Sequence, residues 1–214
     1  FVEKKYRTQP FRIIAGHDTT AGFLNFYLYK DDPIFNAYIS LAPELAPAME
    51  KRIAERLSLI TKPIFYYQAI GSGDINDINN NVKILHDNIN AIPNKKFKYR
   101  FDEIKDASHY SVVPQAIPQA IYFIFNGFQP ISMVEFQEKI ATLDKGYTQY
   151  LIDKYANLEQ TIGISVKPRL TDFKAIEAAI QKSEKFEYFE TLGKIARKEY
   201  PDTLLGNFYL ARYF

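Results

Sequence analysis

Cysteine is absent from the 214 residues of this chain. Its absence excludes a disulfide framework and any metal site built from thiolates, but it leaves the redox compartment open. The sequence also lacks a motif for a resident metal ion or an organic cofactor, so neither is expected.

The chain has little net charge and no long apolar run. Its 27 Lys and Arg against 25 Asp and Glu give a formal net charge of +2, too small to indicate nucleic acid or an anionic membrane as a partner. No apolar run reaches the roughly 18 residues that indicate a membrane-spanning helix. Residues 1–6 lack the apolar centre of a signal peptide. We expect them to form the end of a helix, with the chain beginning inside a fold.

Apolar and aromatic side chains are plentiful. Hydrophobic residues make up 47% of the chain and aromatic residues 15%, which is enough to bury a sizeable core in one large or two small domains. We expect most tyrosines and phenylalanines in the core. The alternative is that some of them line a site for a carbohydrate or an aromatic group.

Short apolar runs alternate with amphipathic stretches up to Pro130. The predicted strands are 11–15, 35–41, 63–70 and 97–104, and the predicted helices are 19–29, 45–59, 75–92 and 115–128. Strands that alternate with helices in this way indicate an α/β fold, with a mostly parallel sheet flanked by helices on both faces.

The pattern changes after Pro130 to helical periodicity alone. We therefore expect one domain over residues 1–132 and a small α-helical domain over residues 133–214. Segments 173–185 and 186–200 are expected to pair as a helical hairpin. Residues 198–213 are similar to part of a tetratricopeptide unit, although stable arrays need about three repeats.

A candidate site lies between the first predicted strand and the first predicted helix. The sequence Gly16-His17-Asp18-Thr19-Thr20 resembles the nucleophile elbow of an α/β-hydrolase, with an aspartate where serine is usual. Small residues are needed where the strand and the helix nearly touch. Gly16 meets that need, whereas Thr20 is expected to crowd the turn.

Two further loops carry residues that could complete this site. Asp74 follows the third predicted strand and His109 follows the fourth. The carboxyl ends of parallel strands meet at one edge of the sheet, where such folds build their sites. The order along the chain is nucleophile, acid, base, as in α/β-hydrolases. Asp77 is the second choice for the acid.

Residues 11–132 resemble the esterase family of α/β-hydrolases that includes esterase D-like and enterochelin-esterase-like enzymes. The pieces that carry the resemblance are Gly16-His17-Asp18, the strand FNAYISLAP at 35–43, the loop SHYSVVP at 108–114 and the phrase FNGF at 125–128. The resemblance implies an α/β-hydrolase core whose N-terminal part lies outside this chain. It also implies a hydrolase that acts on carboxylic or related ester bonds.

The resemblance also implies roles for individual residues. Asp18 falls on the nucleophile position, His109 on the general base and Asp74 on the acid that orients it. The backbone N–H of Thr19 falls on the oxyanion hole, with a second donor from an earlier loop outside this chain.

Asp18 leaves three functions open. The first is an esterase-type hydrolase with a degenerate nucleophile position, and the second is an inactive pseudo-hydrolase that serves as a binding or scaffold protein. The third is an Asp-nucleophile hydrolase of the haloalkane dehalogenase or epoxide hydrolase type, which attacks an sp³ carbon. An Asp attacking an ester would give an anhydride, so ordinary acyl-enzyme chemistry needs the missing serine.

Each candidate residue also has a structural interpretation. Asp18 and Asp74 each precede a predicted helix and could cap it. Asp74 with Asp77 could hold a cation, although no calcium-loop spacing follows. His17 is interpreted as a packing residue or as a hydrogen-bond partner behind the site, and His86 as a surface residue.

The expected partners follow from these functions. A small-molecule ester or a carbohydrate-linked substrate would enter the cleft, and a protein partner could bind the helical tail. Similar esterases with a helical tail are often exported by bacteria, so the resemblance implies a periplasmic or secreted location.

Overall fold

The structure, a computed structural model, describes residues 2–93 and 96–214. The chain divides into two compact units, of which the first ends at Asn126 and the second runs from Gly127 to Phe214. The division lies near the expected boundary at 132/133. The assignment of a hydrolase domain and a separate helical domain to the two parts stays a prediction.

The first unit is built on a parallel sheet of four strands in the order β1-β2-β3-β4. The strands are β1 Ile13–His17, β2 Ala37–Leu41, β3 Phe65–Gly73 and β4 Lys98–Ser108. All five residues of β2 are buried, which is typical of a parallel strand covered on both faces. The predicted parallel sheet is therefore confirmed, with strand ends shifted by a few residues.

Helices alternate with these strands. They are α1 Val2–Lys5, α2 Thr19–Leu24, α3 Met49–Ser58, α4 Asn76–Asn90 and α5 Val112–Phe125. A 3₁₀ segment, Asn25–Tyr29, continues α2, and another, Asn126–Phe128, follows α5. The predicted helical end at residues 1–6 is found at α1, and Phe1 lies outside the described residues.

The change from α2 to a 3₁₀ helix occurs at a buried polar residue. The Asn25 amide donates to the backbone oxygens of Ala21 and Gly22, and its Oδ1 accepts from the Tyr66 hydroxyl at 2.8 Å. These bonds satisfy the buried side chain and compete with regular helical bonds at this point. Burial raises the pKa of Tyr66 well above its usual range.

The core of the first unit combines aliphatic helix faces with aromatic side chains of the sheet. The ring centroids of Tyr38 and Tyr66 lie 6.4 Å apart, and those of Tyr66 and Tyr99 lie 6.1 Å apart. Helices α3 and α4 cover this face with the buried residues Ile53, Leu57, Leu85 and Ile89. On the opposite face, Phe123 of α5 packs edge-on against Phe65.

The second unit consists of helices and turns over its described residues. The helices are α6 Met133–Glu135, α7 Tyr147–Ile162, α8 Leu170–Ser183, α9 Tyr188–Glu199 and α10 Leu205–Ala211, with a π-helical segment at Phe136–Ile140. The expected pairing of α8 with α9 is found. Helix α9 also approaches α10 closely. A Cβ added to Gly193 would lie only 3.0 Å from the Gly206 carbonyl oxygen.

A buried carboxylate links three segments of the second unit. Asp172, in the first turn of α8, accepts hydrogen bonds from the Ile131 N–H at 2.8 Å and from the Tyr155 hydroxyl at 2.9 Å. The Tyr155 oxygen in turn accepts from the Arg169 N–H. Burial is the main reason that the pKa of Tyr155 is raised above its usual range.

None of the helices in the described parts of the chain combines the length and the apolar character that crossing a membrane requires.

Candidate active site

Asp18 occupies a strained turn between β1 and α2, with φ 58° and ψ −130°. A positive φ is costly for a residue with a side chain, so the surroundings must hold it. The Asp18 N–H donates to the Leu41 carbonyl, and its own carbonyl accepts from the N–H groups of Ala21, Gly22 and Glu44. The elbow is thus fixed by hydrogen bonds from the strand beside it and the helix after it.

Two glycines make room for the elbow. A Cβ on Gly16 would lie 2.6 Å from the Thr20 carbonyl oxygen, and one on Gly22 would lie 2.0 Å from the Glu44 carbonyl oxygen. The Thr20 side chain is exposed, and its hydroxyl donates to the His17 carbonyl and accepts from the His17 N–H. The expectation that Thr20 crowds the turn is therefore wrong, because its side chain closes the turn from outside.

The Asp18 carboxylate faces His109. Its Oδ1 lies 3.7 Å from His109 Nε2, and the Asp18 side chain is 44% exposed. It makes no capping hydrogen bond to α2. The helix-capping interpretation of Asp18 is therefore wrong.

His109 is oriented by a buried carboxylate. Its Nδ1 lies 2.8 Å from Asp74 Oδ1, and the Asp74 side chain is fully buried while that of His109 is 11% exposed. A carboxylate accepts hydrogen bonds, so Nδ1 carries the proton and Nε2 faces Asp18. Asp74 Oδ1 also accepts from the Ile75 N–H, whereas Asp74 Oδ2 is buried without a hydrogen-bond partner in the structure.

Strand register brings Asp74 and His109 together. Gly73 pairs with Ser108 across β3 and β4, so the residues that follow them leave the sheet side by side. The register is irregular between Gly71 and Gly73, where a Cβ on Gly71 would lie 2.3 Å from the Ala107 carbonyl oxygen. The close approach at this bulge requires glycine and aims both loops at the site.

Two other interpretations of the Asp74 loop do not describe the structure. Asp77 is exposed in the first turn of α4, and it is Asp74 that contacts His109, so Asp77 as the acid is wrong. The residue that precedes α4 is Ile75, which provides no side-chain cap. Among the described residues, no group of three His, Cys, Asp or Glu could hold a metal ion.

Thr19 and Glu44 form a second polar contact beside the elbow. The Thr19 hydroxyl donates to Glu44 Oε2 at 2.8 Å, and the Glu44 N–H donates to the Asp18 carbonyl at 3.2 Å. Glu44 was not predicted, although its place just after a strand that ends beside the elbow is the signal that could have found it. The role of the Thr19 N–H as an oxyanion donor stays a prediction.

Two more aromatic side chains surround His109. The His17 Nε2–H donates to the His109 carbonyl at 2.8 Å, as predicted for a residue behind the site. The Tyr110 ring centroid lies 5.2 Å from that of His109 and 5.7 Å from that of His17, and Tyr110 is 78% exposed. His86, predicted as a surface residue, is partly exposed, and its ring centroid lies 4.3 Å from that of Phe101.

The fold is α/β-hydrolase-like: a parallel sheet flanked by helices carries the Asp18, His109 and Asp74 side chains together at the carboxyl ends of its strands. No protein-family model and no curated protein sequence matches the chain.

Solved structures do match the chain. An uncharacterised protein from Capnocytophaga ochracea DSM 7271 is 26% identical with a TM-score of 0.89, and the match covers 99% of this chain and 60% of that one. An IroE-like serine hydrolase from Shewanella oneidensis is 18% identical with a TM-score of 0.64, over 92% of this chain and 62% of that one. The second similarity shows a shared fold. This chain spans about 60% of the length of these two structures.

Proposed function

We propose that this chain carries the catalytic site of an esterase-type hydrolase that cleaves carboxylic or related ester bonds of small molecules. The observation that carries the proposal is the arrangement around His109, whose Nδ1 is held by Asp74 at 2.8 Å while its Nε2 faces Asp18 at 3.7 Å. A second observation supports it: the strained elbow places Asp18 Oδ1 3.7 Å from His109 Nε2, and the carboxylate makes no capping bond to α2.

The chemistry proceeds by direct attack of water, because a carboxylate is a poor acyl nucleophile. His109 Nε2 takes a proton from a water molecule as the water oxygen adds to the ester carbonyl carbon. The same Nε2–H then gives that proton to the leaving alcohol oxygen as the C–O bond breaks. The products are a carboxylic acid and an alcohol, and His109 returns to its neutral form.

Asp74 and Asp18 support this proton transfer from opposite sides of the ring. Asp74 holds the tautomer in which Nε2 is free to accept a proton, and it stabilises the imidazolium that forms. Asp18 accepts a hydrogen bond from the attacking water and places it beside Nε2. The exposed side of Asp18 is where substrate would enter.

Asp18→Ser tests the assignment of the elbow. A serine hydroxyl at this position would be activated by His109, so we expect a burst of nitrophenol from nitrophenyl acetate and an acetylated enzyme detectable by mass spectrometry. The wild-type chain should hydrolyse the ester more slowly, with no acetyl adduct on residue 18.

The matched control is Asp77→Ser, which changes an exposed aspartate on α4 in the same unit. It should show neither a burst nor an adduct. A folded Asp18→Ser protein has the same unfolding temperature as the wild type. If such a protein forms no acetyl adduct, the elbow is not an esterase elbow and the proposal fails.

A second candidate is an Asp-nucleophile hydrolase, favoured by the absence of a helix-capping bond on the Asp18 carboxylate. In that chemistry Asp18 displaces a leaving group from an sp³ carbon, and water activated by His109 then cleaves the alkyl ester. His109→Gln would trap the ester, so a haloalkane or an epoxide should leave a mass adduct on Asp18. Under the esterase proposal we expect no such adduct. Asp18→Asn in the same background is the control.

The pseudo-hydrolase function predicts a third outcome of the Asp18→Ser experiment. An inactive wild type together with an active Asp18→Ser variant would indicate an intact scaffold without its nucleophile. The binding of a partner, through the cleft or through the helical second unit, would then be the function to pursue.

A further inference from the structure

His17 connects the elbow to the loop that carries His109. It is the last residue of β1 and directly precedes Asp18. Its Nε2 lies 2.8 Å from the His109 carbonyl oxygen, and the two imidazole centroids lie 4.6 Å apart. A carbonyl oxygen can only accept, so His17 Nε2 is the donor of this bond.

The backbone of His17 is held by hydrogen bonds within the turn and by strand pairing. Its backbone N–H donates to the Thr20 hydroxyl at 3.0 Å, and its carbonyl accepts from the same hydroxyl at 2.6 Å. Within the sheet, His17 pairs with Leu41 of β2. The position of its imidazole is therefore set by β1 and by the turn itself.

Different contacts hold different parts of the loop that carries His109. The Ser108 N–H donates to the Ser111 hydroxyl, which shapes the turn from within. Asp74 holds the ring of His109 through Nδ1. The bond from His17 holds the main chain of His109 and crosses directly from the elbow to this loop.

We propose that His17 is a positioning residue that sets the distance between the Asp18 carboxylate and His109 Nε2. The inference rests on the proposed function of the site. Because His17 is covalently joined to Asp18 and hydrogen-bonded to His109, it fixes both partners with one side chain. Loss of the bond would let the 3.7 Å separation vary, and small errors of position are costly in catalysis.

Three variants separate the hydrogen bond from packing. His17→Phe keeps a ring but has no donor, and His17→Asn has an amide too short to reach the carbonyl. His17→Gln places its amide nitrogen near the position of Nε2 and can donate. If His17 acts only through packing, His17→Phe should be the mildest of the three changes. If it acts through its hydrogen bond, His17→Gln should be the mildest.

The first measurement is steady-state hydrolysis of a nitrophenyl ester. We expect His17→Phe and His17→Asn to lower kcat by about 10–100-fold with little change in KM, because positioning acts on the chemical step. His17→Gln should stay within about threefold of the wild type. His86→Gln, on α4 where the ring packs against Phe101, is the matched control and should leave kcat unchanged.

A second measurement does not depend on turnover. The chain has three histidines, so the imidazole signals can be assigned by single substitutions in NMR spectra. The His109 Nδ1–H signal should exchange faster with water in His17→Phe and His17→Asn than in the wild type and His17→Gln. This result would stand even if the wild type proved inactive.

The proposal is overturned if His17→Phe and His17→Asn are folded and keep both the wild-type kcat and the wild-type exchange of the His109 Nδ1–H. It is also overturned if His17→Gln is folded and as impaired as His17→Phe in both measurements. An inactive wild type with the expected exchange pattern would contradict the esterase proposal and leave the positioning role supported.

Discussion

Replacement of His109 by glutamine is expected to lower kcat/KM for a nitrophenyl ester by about 10²–10⁴-fold, the usual contribution of a general acid–base residue. Glutamine keeps the size and polarity of the side chain but cannot take a proton from water. The Asp74 contact at 2.8 Å holds the ring with Nε2 toward Asp18, the orientation that the proposed reaction requires. Initial rates over a range of ester concentrations measure the effect.

His86→Gln is the control for this experiment, because it makes the same chemical change on α4, where the imidazole packs against Phe101. It should leave kcat/KM within about threefold of the wild type, far less than the loss of a general base would cause. Equal activities of His109→Gln and the wild type would show that hydrolysis does not pass through this site.

Gly22→Ala is expected to destabilise the first unit by about 3 kcal/mol or more, at the upper end of the usual cost of overpacking. The added methyl group would lie 2.0 Å from the Glu44 carbonyl oxygen, so the backbone itself must move. That backbone also bonds the Asp18 carbonyl through the Glu44 N–H. Urea unfolding followed by far-UV circular dichroism measures the change.

Gly73→Ala is the matched substitution for Gly22→Ala. A Cβ on Gly73 would lie 3.3 Å from the nearest atom, the Ala107 carbonyl oxygen, so a shift of a few tenths of an ångström relieves the contact. We expect a loss below about 1 kcal/mol, in the range of a small packing adjustment. Equal losses for the two variants would show that the approach of Glu44 to α2 is not as close as described.

The backbone of Asp18 is strained, as expected at the elbow that we propose. A non-glycine residue at a positive φ costs on the order of 1–3 kcal/mol and persists only where its surroundings impose it. Here four backbone hydrogen bonds join Asp18 to Leu41, Ala21, Gly22 and Glu44. The turn therefore keeps the shape of a nucleophile elbow although its side chain is a carboxylate.

Much of the first unit could be predicted from local patterns. The alternation of apolar runs with amphipathic stretches placed four parallel strands and the helices between them in the right order. Helix and strand ends moved by up to four residues: α3 begins at Met49, whereas the pattern predicted residue 45. Ends depend on caps and on neighbouring strands, which periodicity does not contain.

The candidate site was predicted in part. Asp18, Asp74 and His109 could be named because each follows a predicted strand, and parallel strands end at one edge. The contact of Asp74 with His109 depends on the pairing of Gly73 with Ser108 and on the bulge at Gly71. Neither feature can be read from either strand alone, so Asp77 remained as an alternative.

The sequence by itself determined the class of fold and the loops on which the site lies, because apolar periodicity and turn residues are local properties. Only the tertiary structure decided that Asp18 faces His109 rather than capping α2, that Thr20 closes the elbow, and that Glu44 and His17 adjoin the site. Apart from the Thr20 contact, which spans three residues, these outcomes depend on contacts between residues 25 to 92 apart in the chain, and such contacts form only when the strands pair and the helices pack.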